Sequence, residues 1–234
     1  EPKNVSAEDG KFYATIDDAV KAGNKEVTLG AGNFNLKSFS TDLTITGVNK
    51  EDTNVIIDTN TGDAQKINFV NVTVTRTPEA NYRTVDMVTT QENYENCIIN
   101  GCVRLLVRES ATFTNCEFRN TQKSGFNGYS IHYYAYNGSK VYVNNCTFNT
   151  VSKGICIFNE GVNEYYLEVN DSEFTASETD DKAAIQMHTE KGIKGTVVIN
   201  NTTATGFANV NGGLWNEVVN SSDNIYGLAS QTPT

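Results

Sequence analysis

Apolar and polar residues alternate over most of the chain, and the alternation restarts at a recurring step. At 113–118 (FTNCEF), Phe113, Cys116 and Phe118 stand at −2, +1 and +3 around Asn115, and 143–148 (VNNCTF) repeats this around Asn145. The spacing returns at 69–74 (FVNVTV), 94–99 (YENCII), 169–174 (VNDSEF) and 199–204 (INNTTA), with a weaker copy at 45–48 (ITGV). Period-two alternation on both sides of one residue predicts two short strands that meet at a bend and send one row of side chains inward. The bend column reads Gly47, Asn71, Asn96, Asn115, Asn145, Asp171 and Asn201. Gly, Asn and Asp are the residues that most readily take the left-handed backbone conformation such a bend requires.

A third apolar run lies between copies, at 103–107 (VRLLV), 131–136 (IHYYAY), 155–160 (ICIFNE), 185–190 (IQMHTE) and 213–217 (GLWNE). The bends are 24, 25, 19, 30, 26 and 30 residues apart, and a drifting period in the twenties is a solenoid signature in which loops absorb the variation. Three strands per coil, repeated in one polarity, predict an all-β, single-stranded right-handed parallel β-helix of about 7–8 coils. An immunoglobulin-like sandwich would instead place hairpin turns between its strands. In the solenoid Asn71, Asn96, Asn115, Asn145, Asp171 and Asn201 form an asparagine ladder with steps of about 4.8 Å, the spacing of parallel strands. Cys97, Cys116 and Cys146 then share the inward +1 slot with Val72, Ser172 and Thr202, and Phe118, Phe148 and Phe174 share the +3 slot.

Near the N-terminus the period changes. In 14–22 (ATIDDAVKA), Ile16, Ala19 and Val20 fall at helical spacing, Thr15 with Asp18 resembles a capping box, and Gly23 is the expected stop. A short helix there would plug the open end of the solenoid. The expected organisation is one domain over 1–234, with 1–30 as N-terminal strand and cap helix, 31–219 as coils and 220–234 as a tail. That tail offers no equivalent plug, which leaves open a fold-back over the last coil and a longer parent chain with a following domain.

Composition narrows the function classes. A net charge of −10 and a pI near 4.7 argue against nucleic acid or an anionic membrane as partner. No apolar run reaches the about 18 residues a membrane-crossing helix needs, so no membrane insertion is expected. The five cysteines, 97, 102, 116, 146 and 156, lack paired spacing, and buried thiols are expected rather than a disulfide framework or zinc site.

The segment FYATIDDAVKAGNKEVTLGAGNFNL, followed by LTITGVNKEDTNVIID, resembles the start of pectin-lyase-like right-handed β-helix proteins. The N-C-x-F coils resemble the asparagine-ladder turns of that superfamily. With ATGFANVNGGLWNE they are also similar to β-helix modules of large bacterial surface proteins. The resemblance implies the fold from Phe12 to Glu217. It leaves activity open, because the superfamily holds lyases, hydrolases, esterases, tailspikes and adhesins.

In enzymes of that superfamily the substrate groove follows the outer face of the sheet to which the third run corresponds. With Ile131/Tyr133, Ile155/Ile157, Ile185/Met187 and Leu214 pointing inward, one outward column would hold Tyr134, Phe158, His188 and Trp215, and the next Tyr136, Glu160, Glu190 and Glu217. Aromatic rings beside carboxylates suit sugar binding, since ring faces stack on C–H surfaces and carboxylates accept hydroxyl hydrogen bonds. Equally, a covering loop could bury the rings as a satellite core. Carboxylates on neighbouring or alternate coils, about 5 or 10 Å apart, bracket the separations used by retaining and inverting glycosidases. Three equivalent Glu do not provide the divergent environments an acid and a base require. The superfamily's hydrolase pattern of Asn-Thr-Asp, paired Asp-Asp and His-Gly is missing, and so is the esterase's Gln and Asp constellation. The stretch 175–181 (TASETDD) reads as a solvated loop, so neither metal nor cofactor is indicated.

The expectation is a non-catalytic extracellular or cell-surface module, an adhesin or stalk within a larger multidomain protein, with a glycan or host surface receptor as partner. The alternatives are a polysaccharide-degrading enzyme, hydrolase or lyase, using Glu160, Glu190 and Glu217, and a phage fibre or tailspike-like element.

Overall fold

The computed structural model describes residues 4–37, 39, 41–58, 65–80, 83–84, 87–135, 138–158, 164–189, 194–219 and 227–228. Its organising feature is the row of bends. Asn71, Asn96, Asn115, Asn145, Asp171 and Asn201 have φ of 57, 51, 54, 52, 51 and 47°. Five of them donate their backbone N–H to the residue just before the next bend, Asn71 to the Glu95 carbonyl at 3.0 Å and Asn96 to that of Thr114 at 2.9 Å, with Asn115, Asn145 and Asp171 doing the same. The coil-to-coil ladder therefore continues through the corner without leaving polar groups unpaired. Side chains add a second row, in which Asn96 Nδ2 donates to Asn71 Oδ1 at 3.0 Å, Asn145 to Asn115 at 2.7 Å and Asn201 to Asp171 at 2.7 Å.

Gly47 departs from the expected column, because it is not among the positive-φ residues and ends the strand Leu43–Gly47. Its glycine is required by a close approach: a Cβ there would lie 2.5 Å from the Asn71 carbonyl oxygen. The Gly47 carbonyl accepts Asn71 Nδ2 at 2.9 Å and so starts the amide row.

Strands before the bends form sheet one, which includes Glu26–Leu29, Leu43–Gly47, Lys66–Val70, Lys140–Asn144, Tyr165–Asn170 and Lys194–Asn200. Strands after the bends form sheet two, eight strands from Gly32–Asn35 to Thr203–Thr205. Sheet three stacks Ile131–Tyr134, Ile155–Phe158, Ile185–Thr189 and Trp215–Val219 on the first half of Val103–Thr114, a strand whose second half belongs to sheet one. Among the described residues every pairing between successive coils is parallel. Antiparallel pairs occur where Val5–Ala7 closes the N-terminal edge against Phe12–Tyr13 and Glu26–Leu29, and in Pro78–Ala80 with Arg83–Thr84. A buried or paired first strand removes an edge that would otherwise template aggregation.

The N-terminal helix is Ile16–Lys21, capped by Thr15, whose Oγ1 accepts the Asp18 N–H at 3.0 Å. Ile16 and Ala19 are buried, which seats the helix over the first coil as the spacing predicts.

The interior is sorted by slot. At −2, Phe69, Tyr94 and Phe113 stack with centroids 5.0 and 4.6 Å apart. At +3, Phe118, Phe148 and Phe174 stack at 4.2 Å with planes within 10°. The +1 slot is fully buried, and all five cysteines are free and buried. Its thiols and hydroxyls donate to the carbonyl two residues earlier, as Cys146 Sγ does to Asn144 and Ser172 Oγ to Asn170. A small side chain with one weak donor fits that slot, which explains why Cys, Ser and Thr exchange there.

One charged pair sits inside this apolar stack. Arg76 ends the strand Thr73–Arg76 and Glu92 lies two residues before Tyr94 in Val88–Glu95, both with side chains shielded from solvent. Arg76 Nη2 donates to Glu92 Oε1 at 2.6 Å and to the Tyr94 hydroxyl at 2.8 Å, while Thr89 Oγ1 donates to Glu92 Oε2 at 2.9 Å. The Tyr94 hydroxyl itself donates to Glu92 Oε1 at 2.7 Å. Burial holds the Tyr94 phenol well above its ordinary pKa.

Candidate functional site

Sheet three presents two outward columns. The first holds Arg104, His132, Cys156, Gln186 and Asn216, and the second holds Tyr134, Phe158, His188 and Val218. Strand alternation fixes both, since Leu105, Tyr133, Ile157 and Met187 between them face the core.

The first column is covered. The 3₁₀ turn Gly125–Gly128 lies across it, with the Phe126 ring stacked on His132 at 4.3 Å and 6° and set edge-on to Phe158 at 5.1 Å. Asn120 builds this turn by donating from Nδ2 to the carbonyls of Asn127 and Tyr129, each at 2.9 Å. The Tyr129 hydroxyl donates to Gln186 Oε1, and Gln186 Nε2 donates to Asn216 Oδ1 at 3.2 Å. As a result His132, Cys156 and Gln186 are buried although they point outward. Burial pushes the Tyr129 phenol up and the Cys156 thiol well up. The covering loop weighed against an open binding face is present over this column.

In the second column Tyr134 and Phe158 stay partly accessible. Their ring centroids are 5.9 Å apart, and the Arg104 guanidinium lies 5.6 Å from the Tyr134 centroid. This leaves a small platform of two rings and one fixed cation. Flat apolar surface flanked by a donor fork is suited to a sugar with oxygen substituents.

Two expected members do not belong to it. Trp215 pairs with Ile185, and Glu217 pairs with Met187, so both stand in core-facing columns. The position opposite His188 is Val218. The cause lies in the preceding turn: Leu214 caps the 3₁₀ turn Asn211–Gly213 with φ −85° and ψ −43°, so the strand and its alternation begin at Trp215. Trp215 packs against the core. Glu217 is half-buried, and desolvation raises its carboxyl above the ordinary value. Tyr136, Glu160 and Glu190 lie outside the described residues, as does the side chain of His188.

Sequence reasoning missed Arg104, His132, Gln186 and Phe126 as parts of this face. The first three were readable from alternation, each following an inward apolar residue. Phe126 carried no local signal, because its position over sheet three is tertiary. Among the described residues no three His, Cys, Asp or Glu side chains cluster as a metal site. Asp181 is bound to Lys182 Nζ at 2.6 Å, and Asp180 Oδ1 accepts the Lys182 N–H at 2.7 Å, which leaves the 175–181 stretch without a converging set of ligands.

No family model matches the sequence, and no curated protein matches it. Among solved structures the chain is similar to the pectin methylesterase from Aspergillus niger, with TM-score 0.63 and 14% identity over 100% of this chain and 86% of that one. A match to the catalytic domain of a GH87 alpha-1,3-glucanase in complex with tetrasaccharides has TM-score 0.31 and 10% identity, covering 92% of this chain and 67% of that one, and carries no weight. The pectin methylesterase is an enzyme, and the expectation of a non-catalytic adhesin or stalk is corrected toward its polysaccharide-degrading alternative. At that identity the likeness speaks to architecture alone: the chain shares the right-handed parallel β-helix fold.

Proposed function

We propose that the chain is a polysaccharide-degrading enzyme that holds its substrate along the outer face of sheet three. The observation that carries this reading is the accessible pair Tyr134 and Phe158 on neighbouring strands, with Arg104 held over the Tyr134 ring. Rings at successive rungs give a glycan chain a stacking track, and the guanidinium supplies directed donors to its oxygens. The architectural likeness to a pectin methylesterase supports a polysaccharide as the substrate class.

Glu160 and Glu190 each follow by two residues the cross-strand pair Phe158 and His188, and we assign them the acid and base roles. The assignment requires that the two carboxyls sit in different environments, so that one is held protonated while the other is ionised. Glu217 drops out of this set because its strand position is core-facing.

The test is release of reducing ends from a panel of pectins, xylans, mannans and α- and β-glucans. Activity on at least one of them is expected, with Glu160→Gln and Glu190→Gln each lowering it by about 100-fold or more. No release from any polysaccharide, or full activity in both variants, would overturn the proposal.

A further inference from the structure

We infer that the outer face of sheet one is a second carbohydrate site, one that takes an extended, uncharged glycan lying along the solenoid axis. The choice of a glycan rests on the polysaccharide reading above, but the surface is separate from the Tyr134 platform. Thr44, Asn68, Asn93, Thr112, Tyr142 and Glu168 face outward in one in-register column, and each is half-buried. Its first four members line a shallow cleft of about 520 Å³. Six rungs at the parallel-strand spacing span about 24 Å, so a polar group recurs at an interval close to the rise of one sugar in an extended chain.

The groups are fixed before any ligand arrives. Asn68 Nδ2 donates to Thr44 Oγ1 at 3.0 Å and Asn93 Nδ2 to Asn68 Oδ1 at 2.9 Å, which sets the amide planes and leaves each amide a second N–H for a sugar hydroxyl. Beyond them Tyr142 and Tyr166 form a ring pair with centroids 5.8 Å apart. The Tyr166 hydroxyl donates to Glu168 Oε1 at 2.7 Å, and Asn170 Nδ2 holds Glu168 Oε2 at 3.0 Å, so this ring is oriented by two linked bonds. Pre-set side chains lose little freedom on binding, which is what makes a shallow surface useful.

Charge selects the kind of glycan. On the outward positions of the strands from Leu43–Gly47 to Tyr165–Asn170, Lys66 and Lys140 balance Glu95 and Glu168. The chain as a whole carries −10, so a polyanion approaches against the overall field and finds no cationic excess on this face. A neutral chain meets hydroxyls, amides and rings without that cost.

The test is calorimetric titration with cellohexaose, xylohexaose and mannohexaose, and with the hexamer of galacturonate as charged control. Binding of a neutral hexasaccharide is expected, weakened about fivefold to tenfold by Tyr142→Ala or Tyr166→Ala, the scale of one aromatic contact. Absence of binding by all three neutral sugars, wild-type affinity in the Tyr142→Ala/Tyr166→Ala double variant, or preference for the galacturonate hexamer would overturn it. Titrating the Glu160→Gln/Glu190→Gln protein reads this surface without catalysis. Conversely, reducing-end release from short soluble substrates by the double tyrosine variant reads catalysis without this surface, so the two proposals fail separately.

Discussion

The Arg76 guanidinium and the Glu92 carboxylate meet at 2.6 Å inside the solenoid, where neither side chain reaches solvent. The pair replaces apolar filling between the stacked rings of sheet one and the end of sheet two. Glu92 also accepts from Thr89 and Tyr94, so a carboxylate with its charge compensated and its oxygens bonded is tolerated in a dry interior.

Removing one partner strands the other. Glu92→Gln is expected to lower unfolding stability by about 3–5 kcal/mol, as for other broken buried pairs. Urea denaturation measures it. Arg76→Met combined with Glu92→Leu is expected to recover most of the loss, because no uncompensated charge then remains. A single variant with wild-type stability would show that water reaches the pair.

The bend row separates backbone strain from side-chain bonding. Asn145→Gly keeps the left-handed conformation and loses only the 2.7 Å bond to Asn115, an expected cost of about 0.5–1.5 kcal/mol. Asn145→Val adds the left-handed penalty for a branched residue, about 1–2 kcal/mol more. Denaturant midpoints should therefore fall in the order wild type, Gly, Val, and equal losses for the two variants would remove the conformational argument.

The cysteines should be silent in the native protein. Burial pushes the Cys102 thiol up to about 12, and a hydrogen bond with Cys146 is the main cause that takes Cys116 up to about 12. The same contact lowers Cys146, yet that thiol is as enclosed as its neighbours. Reaction with a disulfide reagent at pH 8 is expected to be slow when folded and to reach five thiols per chain in denaturant. Rapid labelling of Cys146 in the folded protein would mean that its slot opens.

Glu217 gives the pH prediction. Burial raises its carboxyl in the folded state, so the protonated form is favoured there relative to the unfolded chain. Its contribution to stability is full below the ordinary carboxyl value of 4.5 and is lost as pH rises through the raised folded value. Comparing Glu217→Gln with wild type across that range should show the wild type losing stability relative to the variant as pH increases. A parallel pair of curves would mean that the carboxyl is solvated.

Most of the architecture was legible because its causes are local. A left-handed bend restricts one position to Asn, Asp or Gly, alternation fixes the slots beside it, and the Thr15 cap with Ile16 and Ala19 marks the helix. Glu92 was legible too, two residues before the inward Tyr94, but a carboxylate in an apolar row needs its partner to be interpreted, and Arg76 lies 16 positions away. The platform was half legible. Tyr134, Phe158 and His188 follow from alternation within their own strands, whereas Trp215 and Glu217 depend on where a strand restarts after a 3₁₀ turn. The step of 30 between Asp171 and Asn201, added to His188, points to Val218 and was the available signal. The cover over His132 has no such signal, since Phe126 reaches it through a loop shaped by Asn120.

Asp171 gives the row of amides a direction and a seam. Where two asparagines meet, as Asn96 does Asn71 and Asn145 does Asn115, the later one donates toward the N-terminal coil, so an unbroken row of asparagines would be a continuous one-way chain. A carboxylate can receive from Asn201 but has no N–H to pass toward Asn145. The row is thus laid in three lengths, since Asn96 Oδ1 takes Lys50 Nζ at 2.9 Å in place of Asn115, and the corner between Asn145 and Asp171 is joined by the backbone bond Asn145 N–H to Asn170 and by the flanking Asn170 Nδ2 to Asn144 Oδ1 bond. Pulled along its axis, the solenoid has less side-chain bonding to resist separation at those two steps than an unbroken asparagine row would supply.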